Sequence, residues 1–242
     1  MSTISPQIFR AYDIRGTYPD QLNVEMAETL GQAIGTYAIN QGQATVVTAR
    51  DGRLSGPELH NACNQGLIKA GIQVIDIGMV PTPVLYHAAL TLGTGSGVMI
   101  TGSHNPPKFN GFKMMIDSHT LHGKNITNLY KAITQAKLVV GKGSLTTADA
   151  LSSYIYQIIG DIRLERPLKV AIDCGNGVAG VCASELFEQL GCKIVPLFTE
   201  VDGAFPNHHP DPSKPENLND VKGSVLSEKC DLGLAFDGDG DR

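Results

Sequence analysis

The sequence predicts an α/β protein of two repeated β-α-β-α-β units with mainly parallel, mixed sheets. Three observations carry this. Short runs of β-branched and aliphatic residues alternate with three-four spaced apolar patterns, glycine stands at the joins, and the same order of elements recurs about 120–135 residues further on.

In the first unit, residues 44–49 form a β-branched run that stops at Arg50-Asp51-Gly52-Arg53. Ser55-Gly-Pro-Glu58 then reads as a capping box with Pro57 in the first turn of a helix. That helix places Leu59, Ala62, Cys63, Gly66, Leu67 and Ala70 on one face and stops at Gly71, before a second strand over 72–77. Pro81-Thr82-Pro83 opens a short helix through Leu92, and 97–100 is a third strand that ends at Thr101-Gly102-Ser103-His104. The second unit runs from a strand at 168–172 through Gly175-Asn-Gly-Val-Ala-Gly180, a helix to Leu190 and a strand at 192–198. A Pro-rich connection at 205–215 and a polar helix near 220–229 lead to a strand at 231–236, which ends at Asp237-Gly-Asp-Gly-Asp241-Arg242. The boundary is expected inside Gly141-Lys-Gly-Ser144, giving domains 1–143 and 144–242. In parallel sheets ligands gather beyond the carboxyl ends of the strands, where Ser103 and the aspartates stand.

Nineteen Lys+Arg against 24 Asp+Glu give a net charge of −5, so no general positive field is available to attract nucleic acid or anionic lipid. No apolar run approaches the ~18–20 residues of a membrane span, and residues 1–6 lack the basic start and apolar stretch of a signal peptide, so the cytoplasm is the expected location. Five cysteines without a Cys-x-x-Cys pair signal neither a zinc site nor a disulfide framework; reduced, mostly buried thiols are expected.

The strongest chemical signal is Asp237-Gly238-Asp239-Gly240-Asp241. Carboxylates at every second position project to one side of an extended segment, and the glycines let the backbone bend around a small ion. The alternative is a solvated acidic turn. Arg242 stands where a calcium EF-hand needs glycine, and hard oxygen ligands beside an arginine favour Mg²⁺ next to a phosphate over zinc or copper. Ser103 follows a buried strand between Gly102 and His104, which leaves its hydroxyl open to a ligand; the alternative is a turn or cap. A hydrolase elbow is excluded, because Asn105 stands where its second glycine belongs. Lys113 offers a cation to the same loop or lies solvated. Gly175 to Gly180 matches a dinucleotide fingerprint with Glu200 about 20 residues on, so a nucleotide-binding oxidoreductase is the rival reading and a tight turn the plain one. Residues 9–16 are too charged for a core strand and read as an exposed segment able to meet an anion. His60, His87, His119, His122 and the His208-His209 pair stand isolated, and none is assigned to a metal.

Tyr12-Asp13-Ile14-Arg15-Gly16, Thr101-Gly-Ser-His-Asn-Pro106, Asn110-Gly-Phe-Lys113 and Asp237-Gly-Asp-Gly-Asp-Arg242 together resemble the α-D-phosphohexomutases, in the bacterial phosphomannomutase/phosphoglucomutase branch. The resemblance implies the first two domains of a four-domain enzyme, the second cut off inside its metal loop and the C-terminal domains lying in the parent protein. It implies an isomerase of hexose phosphates, of mannose or glucose, in which Ser103 carries a phosphoryl group through a hexose bisphosphate intermediate. Asp237, Asp239 and Asp241 would hold Mg²⁺ together with the Ser103 oxygen. His104, Lys113 and Arg15 would serve proton transfer and charge stabilisation, with Lys113 as the expected general base because an ammonium crowded by other cations can lose its proton. Tyr12 would touch the substrate and Arg242 would steady the phosphoryl group. The isolated chain is expected to show little or no mutase activity, which leaves a non-catalytic Mg²⁺ or sugar-phosphate binding fragment as a further alternative.

Overall fold

The β-branched run of the first unit and the apolar faces around it become a three-layered α/β/α body in the computed structural model, which describes residues 4–242. Residues 1–3, the start of the segment that lacks signal-peptide features, lie outside the described residues. The first unit runs β1 (Ile14–Thr17), α1 (Val24–Asn40), β2 (Thr45–Arg50), α2 (Gly56–Ala70), β3 (Gln73–Met79), α3 (Thr82–Thr91), β4 (Gly97–Ile100), β5 (Phe109–Ile116), β6 (His119–Thr120), α4 (Lys124–Thr134) and β7 (Ser144–Thr147). After α5 (Leu151–Asp161) the second runs β8 (Lys169–Asp173), α6 (Ala183–Gln189), β9 (Lys193–Leu197), α7 (Asn219–Ser227) and β10 (Leu232–Ala235). No helix among the described residues is long and apolar enough to cross a membrane.

The first sheet has the order β1-β5-β4-β2-β3-β7 with β6 on β5, and the second has the order β10-β8-β9. Strands β4, β2, β3 and β7 are mutually parallel, whereas β5 runs antiparallel to β1 and β4. The second sheet is wholly parallel. Alternate residues of the first sheet feed two cores. Val46, Val74, Val98 and Ile100 pack with α1 and α2, while Val47, Ala49 and Met99 pack with Val84 and Leu85 of α3. Helix α5 joins the two units, since Ile155 packs against Cys182 and Leu186. All five cysteines are unpaired, and all but Cys230 are buried.

Three sequence expectations are corrected. Residues 14–17 form a strand paired with β5, because the Arg15 charge turns out of the sheet onto polar partners while Ile14 fills the core. Ser55 makes no capping bond: its backbone is itself helical (φ −78°, ψ −7°), and its hydroxyl accepts from Asn110 Nδ2 at 2.9 Å. Residues 144–147, placed on the second side of the expected boundary, pair in parallel with β3, so the first sheet runs four residues past residue 143.

Candidate active site

In each sheet the first strand of the β-α-β-α-β repeat lies between the other two, β2 between β4 and β3 and β8 between β10 and β9, so connections leave in opposite directions at the β2–β4 and β8–β10 gaps. A crevice at the carboxyl ends follows from that reversal. Asp51 and Ser103 emerge at one gap, Asp173 and Asp237 at the other, and the two gaps face each other: the Ser103 hydroxyl donates to Asp237 Oδ2 at 3.0 Å. Ser103 has a φ of 49°, the left-handed region a side chain rarely adopts, and such a conformation persists only where its surroundings enforce it.

The acidic loop is tied to both units. Asp237 Oδ1 accepts from the Asp241 and Arg242 amides at 3.1 and 3.3 Å. Asp239 Oδ2 accepts from the Thr82 hydroxyl at 2.6 Å and from Lys113 Nζ at 2.6 Å. One oxygen from each of the three aspartates lies within 4.8 Å of the others, and Asp239 Oδ1 is buried with no hydrogen-bond partner. An orphaned buried carboxylate oxygen among converging anions suits a divalent cation, so the donor set fits a metal.

The ionisations agree with that chemistry. Burial, then the charges of Asp239 and Asp241, push Asp237 up to about 7. Burial acts in the same direction on Asp239, yet the Lys113 charge and the bonds from Lys113 and Thr82 hold it below the ordinary carboxylate value. A proton on Asp237 competes with a cation for the same oxygens, so binding strengthens as pH rises through about 7. Calorimetric Mg²⁺ titrations are expected to give an affinity about tenfold lower at about pH 6 than at about pH 8. A flat profile would remove Asp237 from the set of ligands.

A cleft of about 570 Å³ opens over this cluster, lined among others by Tyr12, Arg15, Ser103, His104, Lys113 and Arg242. All six are residues singled out from the sequence; Asp241 joins them at the rim, while Asp237 and Asp239 lie buried beneath. Tyr12 is 76% exposed at the mouth of the cleft. Arg15 donates to the Gly102 carbonyl, to Asn105 Oδ1 at 2.6 Å and to Asp13 at 2.5 Å. His104 Nδ1 stands 3.3 Å from Ser103 Oγ. Burial, then the Arg242 charge, lowers His104 below its usual value against the pull of Asp211, which favours the neutral imidazole.

The physical ground for a basic Lys113 is corrected. Its neighbours are carboxylates, Asp239 at 2.6 Å and Asp241 at 2.5 Å, where the sequence reading expected cations. Burial lowers its pKa, but the Asp239 charge and both hydrogen bonds outweigh that and raise it. The ammonium here holds its proton.

The glycine-rich turn is occupied by the chain itself, which argues against the dinucleotide reading. A Cβ on Gly180 would stand 2.0 Å from the Thr199 carbonyl, and the Val178 amide donates to the Gly238 carbonyl at 3.2 Å. A four-residue 3₁₀ turn (Val178–Val181) follows in place of the helix start that would seat a pyrophosphate. His208 is not isolated: its Nε2 lies 2.9 Å from Asp173 Oδ2, and Asp173 Oδ1 accepts from the Gly175 amide at 2.8 Å. Sequence reasoning also missed Thr82, whose amide and hydroxyl both bind Asp239, and the Asp51-Arg53 turn, read only as a strand end. The local signal for Thr82 was its place beside two prolines at a strand's carboxyl end; nothing local named its partner.

A serine loop on one α/β body thus meets an acidic loop on a second at the carboxyl ends of both sheets. The chain belongs to the phosphoglucomutase/phosphomannomutase family: the family model for α/β/α domain I matches residues 6–142, and that for α/β/α domain II matches residues 151–242. A phosphomannomutase/phosphoglucomutase of Pseudomonas aeruginosa is 55% identical over 240 residues, which is 99% of this chain and 52% of the relative. A phosphoglucomutase of Neisseria gonorrhoeae is 49% identical over 244 residues, 100% of this chain and 53% of the relative. The chain thus spans about half the length of the curated relatives it matches. The crystal structure of a phosphoglucomutase/phosphomannomutase family protein from Burkholderia thailandensis superposes with a TM-score of 0.96 at 50% identity, over 99% of this chain and 54% of that one.

Proposed function

We propose that this chain supplies the phosphoryl-carrying serine and the cation site of a hexose-phosphate mutase that exchanges 1- and 6-phosphates of mannose or glucose. The observation that carries the reading is the Ser103 hydroxyl, held in the left-handed region and pointed at Asp237 Oδ2 at 3.0 Å across the two units. Asp237, Asp239 and Asp241 would hold the cation, and their hard oxygens favour Mg²⁺, which when bound supplies positive charge that offsets phosphoryl negative charge.

The chain's own groups account for the proton movements. As Ser103 Oγ bonds to the phosphorus of a hexose bisphosphate, neutral His104 takes the hydroxyl proton at Nδ1. The bond between phosphorus and the sugar oxygen breaks, and that oxygen takes a proton from the Lys113 ammonium, which donates to Asp239 and Asp241 of the acidic loop. In the reverse transfer both protons return. Arg15, fixed to the Gly102 carbonyl and Asn105, and Arg242 at the cleft rim face the phosphoryl group with cations, and Tyr12 lies open to the sugar.

The test is phosphoryl acceptance. Incubated with Mg²⁺ and glucose 1,6-bisphosphate, the chain should gain one phosphoryl group, and peptide mapping should place it on Ser103. Ser103→Ala should gain none. Phosphate on another residue would overturn the assignment, and Mg²⁺ binding with no phosphate transfer at all would leave a sugar-phosphate binding module in place of a carrier.

A further inference from the structure

Arg53 is among the largest side chains in the chain with no exposed surface, and it carries a charge. Burying a guanidinium is costly, and replacing a buried ion pair by apolar residues is often neutral or stabilising, so stability alone does not explain it. Its partners do. All five guanidinium N–H groups are used: Nε donates to Asp51 Oδ2 at 3.1 Å, Nη1 to the Pro106 and Phe109 carbonyls at 2.8 and 2.9 Å, and Nη2 to the Ser103 and Asn105 carbonyls at 2.6 and 2.7 Å. Four carbonyl oxygens between residues 103 and 109, from the serine loop and the first residue of β5, thus converge on a single cation. Without it their dipoles would oppose one another around a void, and the loop could not keep this shape.

Both ends of the Ser103 residue are fastened to the same cluster. Its carbonyl accepts from Arg53, and its amide donates at 2.7 Å to the Thr101 hydroxyl, which itself donates to Asp51 Oδ2 at 2.7 Å. The second unit closes the cluster: the Phe205 ring, from the connection between β9 and α7, lies 5.2 Å from the Arg53 guanidinium carbon, a cation–π distance. We propose that Arg53 is a positioning residue, whose planar fork, covered by Phe205, holds the Ser103 loop in its left-handed turn and sets the hydroxyl against Asp237. The fork is essential. A lysine has three donors at one point and cannot gather four carbonyls and a carboxylate. This inference deepens the proposed function and rests on it for the consequence in rate, but the loop geometry is measurable without it.

Hydrogen exchange on the 242-residue chain tests the geometry. In Arg53→Ala, and in Arg53→Lys should the alanine variant fold poorly, the amides of residues 101–109 are expected to exchange about tenfold faster or more, while the strands β2 and β3 keep their protection. Free guanidinium at low millimolar concentration should restore that protection in Arg53→Ala, and methylammonium should not. The rate of Ser103 phosphorylation from glucose 1,6-bisphosphate should fall about 10²-fold, with guanidinium rescue, and Mg²⁺ affinity should change less than about threefold. Unaltered exchange of 101–109 in both variants would overturn the proposal, as would uniform loss of protection across β2 and β3 without guanidinium rescue, the mark of a general core residue. If the unsubstituted chain takes no phosphate, the proposed function fails by itself, and exchange with guanidinium rescue still decides the role of Arg53.

Discussion

Asp237→Asn is expected to weaken Mg²⁺ binding by more than about a hundredfold, the upper range of the loss for outer-shell partners of metal ligands, and yet to stabilise the cation-free chain at alkaline pH. The folded-state value of about 7 lies above the ordinary 3.8, so the ionised carboxylate is disfavoured by burial and by Asp239 and Asp241. The stability this group contributes is fully present below about pH 4 and is lost as pH rises through about 7. That difference corresponds to at most about 4 kcal/mol. Asparagine has no charge to desolvate, and its side-chain oxygen can still accept the Asp241 and Arg242 amides. Melting curves with chelator present should therefore show the variant more stable than the parent at about pH 8 and no more stable at about pH 4. Equal shifts at both pH values would mean that packing, and not charge, separates the two proteins.

Gly238→Ala should loosen the two units where the serine and acidic loops touch. Its Cβ would stand 2.4 Å from the Ser103 carbonyl oxygen, a backbone atom that Arg53 Nη2 holds at 2.6 Å, so neither side yields cheaply. The backbone at Gly238 is outside the left-handed region, so the effect is one of space alone. Overpacking of this kind costs about 1–3 kcal/mol. Relief comes most directly from parting the loops, which lengthens the bond from Ser103 to Asp237, and a displacement near 1 Å can slow transfer to Ser103 by about 10²-fold. Gly223→Ala is the control: nothing lies within 4 Å of its added Cβ, and it sits inside α7, so a neutral or slightly stabilising effect is expected. Matching melting temperatures and phosphorylation rates for Gly238→Ala and the parent would show that the seam is not closed as described.

Much of the site was legible because its signals are local. The alternating carboxylates of 237–241 announce a cation, and the serine string at 101–106 stands at the end of a strand whose apolar run is plain. The repeat showed the architecture, and the carboxyl-end rule for parallel sheets put both loops at a ligand-binding edge. Where reading failed, charge was taken as evidence against burial. Arg15 was read in an exposed segment and Arg53 only at a strand end, yet both are buried, because carbonyls and carboxylates from distant segments surround them. Lys113 was given cationic neighbours because its carboxylate partners, Asp239 and Asp241, stand 126 and 128 positions further along the chain.

By itself the sequence determined the α/β class, the repeated units, the acidic loop and the serine loop, since each depends on periodicity or on residues adjacent in the chain. Only the tertiary structure decided that Ser103 meets Asp237 from 134 positions away, that Thr82 holds Asp239 across 157, and that one guanidinium gathers the serine loop. Those contacts arise where two separately wound sheets bring their carboxyl ends together. The distance between such ends is set by packing across the seam, which leaves no periodic trace in the chain.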